Sequence, residues 1–191
     1  MKKIILASQS PRRKQLLEQI GLKFEIDPGN YEEDMTLKME PNKLAEFLSL
    51  GKAKDVAGRH KDSIIISADT IVAVDNEVFG KPKTPEKAKY MLRKLSDRPH
   101  SVITGFTIID TKTNKQISKS IETKVYFKNL SEQEIDSYIA TGEPLDKGGG
   151  YAIQGKAALF VEKIEGDYFN IVGLPILALA EELRNFDINV L

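Results

Sequence analysis

The sequence predicts an α/β fold in a single domain that spans residues 1–191. Amphipathic helical segments alternate with apolar, strand-like segments, and no shift in composition marks a domain boundary. A chain of this length that is 41% hydrophobic can bury a substantial core, as one globular unit or as two lobes that share it. No internal repeat or low-complexity tract interrupts the alternation.

The first predicted elements lead to a long apolar strand. They are a strand over residues 3–7, a helix over 11–20 closed by Gly21, a strand near 23–26, a polar stretch over 27–40 and a helix over 41–56. The run SIIISADTIVAV then predicts a buried strand that Asp69 interrupts. A turn at DNE and the segment EVFGKP follow it.

The remaining elements continue the same alternation. They are a helix over residues 85–95, hairpin strands over 102–110 and 118–127 across the polar turn TKTNK, and a short helix over 131–140 opened by the capping box SEQE. After a glycine-rich segment, YAIQ and ALFVEKI are strand candidates. A final helix is expected over residues 174–185.

Composition and charge narrow the classes of function. The chain carries 28 basic and 28 acidic side chains, a balance that argues against a broad surface for nucleic acid or anionic membrane. It lacks cysteine, which excludes disulfides, thiolate zinc sites and thiol nucleophiles. His60 and His100 stand in polar, turn-like contexts and are expected to be solvated, so a Ser/His/Asp triad has little support. Any metal is expected to be a hard ion held by carboxylate oxygens and water.

No segment resembles a targeting signal or a membrane anchor. MKKIILAS has too few apolar residues for the core of a signal peptide, and the run LPILALA is far too short to span a bilayer. We therefore expect a soluble, cytoplasmic protein.

The hexapeptide SQSPRR, residues 8–13, begins the first predicted helix with unusual charges. Ser10 is a favourable N-cap and Pro11 suits the first helical position. Arg12, Arg13 and Lys14 then crowd the first turn, where the helix dipole normally favours acidic residues. Because the free N–H groups of a helix start bind anions, these cations predict a site for a polyanion.

A carboxylate, Asp69, stands inside one of the most apolar windows of the chain. Burial of an unpaired charge is unfavourable, so this side chain is expected to be paired, metal-bound or proton-accepting. Asp69 is therefore a candidate general base or metal ligand. The alternative is an aspartate that forms a turn between two strands.

Three further places have both a chemical and a structural interpretation. Lys52 and Lys81 each follow a glycine and could reach a phosphate group, or could be ordinary solvated lysines. The acidic run at residues 32–34 could hold a divalent ion or lie solvated in a loop. The segment GEPLDKGGGYAIQG, residues 142–155, indicates unusual torsions or a close approach to a ligand, or a glycine-rich turn that enters a strand. It matches neither a Walker A nor a GxGxxG pattern.

Taken in order, the segments SQSPRR, SADTIV, GKP, GEPLDKGGGYAIQG and GDYFNIVGLP resemble the Maf family of nucleoside triphosphate pyrophosphatases. The resemblance covers the chain from Leu6 to Leu179. It implies a Maf/ITPase-like fold, an elongated mixed β-sheet flanked by helices in two lobes around a central cleft, and a homodimer. It further implies hydrolysis between the α- and β-phosphates of a nucleoside triphosphate, with a divalent cation, to give a monophosphate and pyrophosphate.

The resemblance also implies roles for individual residues. Asp69 matches the family's proposed proton acceptor, and Glu33 matches a carboxylate that acts at the metal, so both are candidate ligands of Mg²⁺, Mn²⁺ or Co²⁺. The residues that match the phosphate site are Ser8, Arg12, Arg13, Lys52 and Lys81. In-line attack at the α-phosphate requires an activated water, a metal and cations for the leaving pyrophosphate, and these residue types can supply them.

Within the resemblance, Arg12, Thr70 and Gln154 match the dTTP/UTP branch of the family. The 7-methyl-GTP branch carries Gln and Glu in place of the latter two. A Gln amide both donates and accepts, which suits the imide edge of uracil or thymine, whereas a carboxylate only accepts. We therefore expect hydrolysis of dTTP and UTP, with modified pyrimidine nucleotides as further candidate substrates.

Two other classes of protein remain as alternatives. One is a nucleotide-sensing regulatory protein linked to cell division, which would bind a nucleotide without turnover. The other is a nucleic-acid binder that uses Arg12 and Arg13, but the zero net charge and the lack of tryptophan argue against a long stacking groove.

Overall fold

A computed structural model describes residues 2–34, 37–75 and 77–191 of the chain. Its helices are α1 (Pro11–Gln19), α2 (Pro41–Ala57), α3 (Pro85–Leu95), α4 (Glu132–Ile139), α5 (Tyr168–Val172) and α6 (Ile176–Arg184). Its strands are β1 (Lys3–Leu6), β2 (Glu25–Ile26), β3 (Ser63–Val74), β4 (Glu77–Phe79), β5 (Pro99–Asp110), β6 (Gln116–Phe127) and β7 (Val161–Glu165). The α/β fold class is thereby confirmed.

The strands form one mixed sheet in the order β2-β1-β3-β5-β6-β7, and β4 pairs with β3. Strand β1 is parallel to both β2 and β3, so that Leu6 lies opposite Ile26 on one side and Ile66 on the other. The pairs β3–β4 and β6–β7 are antiparallel. The sheet is therefore mixed, as the family resemblance implies.

The chain divides into two compact units, each built from separate stretches of sequence. The first unit holds the chain up to Asp69 together with Thr104–Ile121 and Gly173–Leu191. The second unit holds Thr70–Ile103 and Glu122–Val172. The unit boundaries fall within β3, β5 and β6, so these three strands contribute residues to both units.

Each unit has a hydrophobic cluster of its own. In the first, α2 packs on the sheet through Ala53 and Val56 against Ile5 and Ile65. In the second, Leu92 of α3 and Tyr138 of α4 belong to a cluster rich in aromatic side chains. No helix in the described part of the chain combines the length and apolarity needed to cross a bilayer.

Local signals in the sequence fix several helix starts. Ser10 caps α1, its Oγ accepting from the Arg13 amide at 3.4 Å, and Pro11 occupies the first position. Ser131 and Glu134 form the reciprocal capping box of α4. Gly21 follows α1 at φ +73°, a conformation that suits glycine.

Three predicted elements differ from the structure. Strand β3 runs unbroken through Asp69, so the expected interruption and the alternative of an aspartate turn are wrong. YAIQ is not a strand, because the Ala152 amide donates to the Tyr138 hydroxyl and the Ala152 carbonyl accepts from Gly155 in a turn. Only residues 161–164 of ALFVEKI lie in β7, after a 3₁₀ helix over Lys156–Phe160.

The last predicted helix also differs in its bounds, since α6 begins at Ile176 and the short helix α5 precedes it. The predicted turn at DNE includes Asn76, and the polar stretch 27–40 includes residues 35 and 36, all of which lie outside the described residues.

Candidate active site

Asp69 is a buried carboxylate in the middle of a strand. It lies on β3 with 6% of its surface exposed. Burial raises the pKa of Asp69, and the neighbouring Glu33 charge raises it further, whereas Lys52 and Arg13 oppose the shift. A carboxylate with a raised pKa is a stronger proton acceptor than an exposed one.

Lys52 of α2 joins this carboxylate to a second one. Its Nζ donates to Asp69 Oδ1 and lies 2.6 Å from Glu33 Oε1. The Lys52 side chain is 16% exposed, whereas that of Glu33 is 39% exposed. A single ammonium therefore holds together a buried carboxylate and one that faces solvent.

Hydroxyl groups fix α2 to the sheet next to this cluster. Ser67, two residues before Asp69, donates to the Ser49 carbonyl at 2.7 Å. The Ser49 hydroxyl lies 2.8 Å from that of Thr107 on β5. These groups are fully buried, so their hydrogen bonds set the register between α2 and the strand that carries Asp69.

The loop that carries Glu33 is held by the last turns of α2 and by the residues that follow this helix. Asp27 accepts a bidentate pair from Arg59, with its Oδ1 2.7 Å from Nη2, and lies 2.8 Å from His60 Nε2. The Asn30 amide donates to Asp55 Oδ2 at 2.8 Å. These contacts hold the loop against the C-terminal end of α2.

Tyr31, in the same loop, covers the glycine before Lys52. A Cβ added to Gly51 would meet the Tyr31 ring at 2.2 Å, so only glycine allows this contact. Burial raises the pKa of Tyr31, while the Lys52 charge lowers it. The ring therefore lies within the electrostatic reach of the Lys52 cluster.

Arg13 in the first turn of α1 faces the same carboxylates. Its Nε donates to the Gly173 carbonyl at 2.8 Å, and its Nη1 donates to the buried Ser8 hydroxyl at 3.2 Å. Burial lowers the pKa of Arg13, Asp69 opposes that shift, and the like charge of Arg12 adds to it. Arg13 therefore interacts electrostatically with both Arg12 and Asp69.

The second unit contains the other predicted residues. The glycine-rich segment packs on Thr70, since a Cβ on Gly148 would lie 3.3 Å from the Thr70 carbonyl oxygen. Gly149, at φ +70°, donates its amide to the Gly80 carbonyl at 3.0 Å, directly before Lys81. The segment therefore contacts both the Thr70 backbone and the segment that carries the exposed Lys81.

Gln154 stands at an exposed turn of the same segment. The turn is closed by a 2.9 Å hydrogen bond from the Gly155 amide to the Ala152 carbonyl. Tyr151 and Ala152 before it are buried, so the chain leaves the core just ahead of Gln154. The side chain is therefore presented to solvent.

A second buried aspartate provides an internal comparison for Asp69. Asp110 pairs with Lys2 at 2.5 Å and also accepts from the Thr113 hydroxyl at 2.8 Å. Although burial opposes it, these hydrogen bonds lower the pKa of Asp110 to about 2. Asp110 is a stabilised structural anion, whereas the pKa of Asp69 shifts in the opposite direction.

The described residues thus form two groups of predicted site residues, one in each unit. The first unit brings together Ser8, Arg12, Arg13, Glu33, Lys52 and Asp69. The second contains Thr70, Lys81 and Gln154, of which the first two adjoin the glycine-rich segment.

The sequence analysis did not identify the residues that position the side chains around Asp69. Ser67, a hydroxyl inside the apolar run of β3, was a detectable signal for a buried polar contact. Nothing in the local sequence links the Gly173 carbonyl to Arg13, because the contact joins residues 160 positions apart.

Known proteins resemble this chain in sequence and, more distantly, in structure. The model of the Maf-like protein family matches residues 3–186. The dTTP/UTP pyrophosphatase of Alkaliphilus oremlandii is 52% identical over the whole of both chains. That of Methanosarcina mazei is 48% identical over 100% of this chain and 97% of its own. A crystal structure of a nucleoside-triphosphatase / dITP/XTP pyrophosphatase from Mycobacterium abscessus has a TM-score of 0.41 at 15% identity, covering 65% of this chain and 72% of its own.

Both the family model and the similarity to full-length relatives extend over nearly the entire chain. They include the strand that carries Asp69 and the segment that carries Gln154. This chain belongs to the Maf-like protein family.

Proposed function

We propose that this protein hydrolyses dTTP and UTP to the nucleoside monophosphate and pyrophosphate. The observation that carries the proposal is the buried Asp69 carboxylate, held with Glu33 by Lys52 in a chain about half identical to dTTP/UTP pyrophosphatases. A proton-accepting carboxylate beside several cations fits attack by water on a polyphosphate.

Asp69 acts as the general base in this proposal. It accepts a proton from water as the water oxygen forms a bond with the α-phosphorus. The bond from that phosphorus to the oxygen that bridges the α- and β-phosphates breaks, and pyrophosphate leaves with the electron pair. Because burial raises the pKa of Asp69, the carboxylate is a stronger base than an exposed aspartate.

The basic side chains bind the phosphates. Arg12 and Arg13 present guanidinium groups, whose planar forks suit phosphate oxygens, and Lys52 and Lys81 supply compact positive charges. The Ser8 hydroxyl, fixed by the 3.2 Å hydrogen bond from Arg13, adds a polar contact. These cations offset the negative charge that develops on the leaving pyrophosphate.

Glu33 and Asp69 are suited to hold a divalent cation, because both supply carboxylate oxygens. Both also contact the Lys52 ammonium, so the two carboxylates lie close together. Within the described ranges, no group of three or more His, Cys, Asp or Glu side chains could hold a metal ion, so substrate phosphate oxygens and water would complete the coordination. When bound, Mg²⁺, Mn²⁺ or Co²⁺ would polarise the phosphate and neutralise part of its charge.

Thr70 and Gln154 recognise the base, and Arg12 contributes to substrate choice. The Gln154 amide accepts from the imide N–H of uracil or thymine and donates to an adjacent carbonyl oxygen. The exposure of Gln154 supports this role, since its amide can reach a ligand.

The first test is Asp69→Asn, with Asp110→Asn as its matched control. Both residues are buried aspartates paired with a lysine in the same unit. We expect Asp69→Asn to lower kcat by at least about a thousandfold, because general-base catalysis contributes roughly 10²–10⁴-fold and Asp69 also supports the metal. Asp110→Asn should keep the rate and lose only stability. An Asp69→Asn enzyme that keeps most of its rate would remove Asp69 from the mechanism.

The second test is pyrophosphate release from canonical and modified triphosphates with Mg²⁺, Mn²⁺ and Co²⁺. We expect dTTP and UTP to give the highest kcat/KM, and 7-methyl-GTP to be a poor substrate. Gln154→Glu should weaken the preference for pyrimidines. Tight nucleotide binding with no pyrophosphate release under any metal would favour the regulatory binding protein instead.

A further inference from the structure

The backbone on both sides of Gln154 is anchored by one pair of side chains, Tyr138 and Glu143. We infer that these two are positioning residues, which hold the Gln154 turn so that its amide discriminates uracil from cytosine. This inference rests on the proposed function, in which Gln154 recognises the base.

The anchoring contacts lie two residues before and two residues after Gln154. The Tyr138 hydroxyl accepts from the Ala152 amide at 3.1 Å and donates to Glu143 Oε1 at 2.8 Å. The Glu143 carboxylate also accepts from the Lys156 amide, at 3.1 Å to Oε1 and 3.3 Å to Oε2. One chain of hydrogen bonds therefore connects both ends of the turn.

The carboxylate also packs directly on the turn. A Cβ added to Gly155 would lie 2.2 Å from Glu143 Oε1, so the absence of a side chain at residue 155 is what lets the carboxylate approach. Together with the Gly155–Ala152 hydrogen bond, this contact leaves the backbone around Gln154 little freedom.

The anchor itself is rigid. Tyr138 is 4% exposed, and its ring packs against Phe160 with centroids 5.1 Å apart. It is on α4, which the capping box of Ser131 and Glu134 stabilises. Both ends of the Tyr138 side chain are thus fixed, the ring in the core and the hydroxyl on the turn.

Such rigidity matters because of the chemistry of an amide. Uracil presents an N–H donor between two carbonyl acceptors, whereas cytosine presents a ring-nitrogen acceptor beside an amino donor. A Gln amide rotated by half a turn pairs with cytosine as well as it pairs with uracil. Discrimination therefore requires that the position of Gln154 permit only one of the two orientations, which a loosely held turn cannot enforce.

The test compares kcat/KM for UTP with kcat/KM for CTP. In Tyr138→Phe, the Ala152 amide and Glu143 lose their shared hydroxyl, and we expect the UTP/CTP ratio to fall about tenfold as CTP is accepted. Tyr126→Phe is the control, since it removes a similar hydroxyl–carboxylate hydrogen bond, to Glu165 Oε2 at 2.8 Å, from the same unit. Its ratio should match that of the unmutated protein.

A double-mutant cycle separates positioning from a general structural role. If Tyr138 acts through Gln154, Gln154→Ala and Tyr138→Phe/Gln154→Ala should have the same UTP/CTP ratio. Gly155→Ala, whose Cβ would displace the Glu143 carboxylate, should lower the ratio by itself and provides a second variant should Tyr138→Phe fail to fold.

An unchanged ratio in folded Tyr138→Phe or Gly155→Ala would overturn the inference, as would a fall of equal size in the Gln154→Ala background. If the unmutated protein releases no pyrophosphate from any triphosphate, the proposed function itself fails and the positioning role fails with it. An active enzyme with an unaltered ratio in these variants removes only the positioning role.

Discussion

At the scale of single residues, His100 departs most from what its sequence context suggests. The polar neighbourhood DRPHS predicts a solvated side chain, yet His100 is 3% exposed on β5. Its Nε2 lies 2.8 Å from the Tyr151 hydroxyl, and its ring packs edge-on against Phe127 at 4.8 Å. The residues before His100 are polar, but strand alternation turns this side chain inward together with Val102.

Burial lowers the pKa of His100 from 6.5 to about 4, and this predicts a pH-dependent stability. Below pH 6.5 the unfolded chain binds a proton that the folded chain does not, so stability falls as the pH drops toward 4 and is unaffected by this group above 6.5. The loss corresponds to about 3 kcal/mol. Urea unfolding measured from pH 4 to 7 checks this prediction. The free energy of unfolding of the unmutated protein should fall as the pH drops, and that of His100→Gln should fall less.

Direct titration checks the same prediction. The chain has only two histidines, so His60→Gln leaves a single imidazole signal in an NMR titration. That signal should move only near pH 4. A midpoint near 6.5 would contradict the buried, neutral state of His100.

At the scale of elements, the backbone of α2 packs closely on the sheet at a glycine. A Cβ on Gly105 of β5 would lie 2.2 Å from the carbonyl carbon and oxygen of Ala45, which are backbone atoms. Because no side-chain rotation relieves such a clash, Gly105→Ala must displace the helix that carries Lys52.

We expect Gly105→Ala to lower the free energy of unfolding by about 1–3 kcal/mol and to reduce turnover as Lys52 moves. Gly58→Ala is the control, since its Cβ would have no neighbour closer than 3.9 Å and its φ is −60°. That variant should be neutral or more stable by up to about 1 kcal/mol. Urea unfolding of both variants measures these changes. Equal free energies of unfolding for Gly105→Ala and Gly58→Ala would contradict the close packing at Gly105.

Elements with strong local signals could be predicted from the sequence, and elements fixed by distant contacts could not. The predicted helix over residues 85–95 agrees residue for residue with α3, whose start is fixed locally by the Thr84 cap and Pro85. YAIQ has the composition of a strand, but its hydrogen bonds go to the Tyr138 hydroxyl and to a turn. The four residues of YAIQ carry no signal that the Ala152 amide binds a hydroxyl on α4.

The same distinction applies to the candidate site. Asp69 could be identified as a candidate from the sequence because an unpaired charge inside an apolar run is unfavourable. Its pairing with Lys52 and Glu33 needed the packing of α2 and of the loop from Asp27, which depends on contacts between distant parts of the chain. The sequence therefore predicts Asp69 as a candidate site residue, but it does not predict the side chains that contact it.

At the scale of the whole molecule, the balance of charge argues for a small ligand. The net charge is zero, so the basic groups near Arg12 and Arg13 act locally and are countered by Glu33 and Asp69. Nonspecific binding of nucleic acid depends on many phosphate contacts and on the release of counterions. We therefore expect this chain to bind a small anion rather than nucleic acid.

This contrast gives a prediction about ligand size. A UTP analogue with an imido bridge between the α- and β-phosphates, added with Mg²⁺, should raise the thermal midpoint of unfolding, because a ligand at a hundred times its Kd stabilises the folded state by about 2.7 kcal/mol. A labelled single-stranded oligonucleotide should show no binding by fluorescence anisotropy at physiological salt. Oligonucleotide binding whose affinity falls linearly on a log–log plot against salt would instead indicate a nucleic-acid surface. The absence of any midpoint shift with the analogue would contradict a nucleotide site, because stabilisation follows from binding alone and does not require turnover.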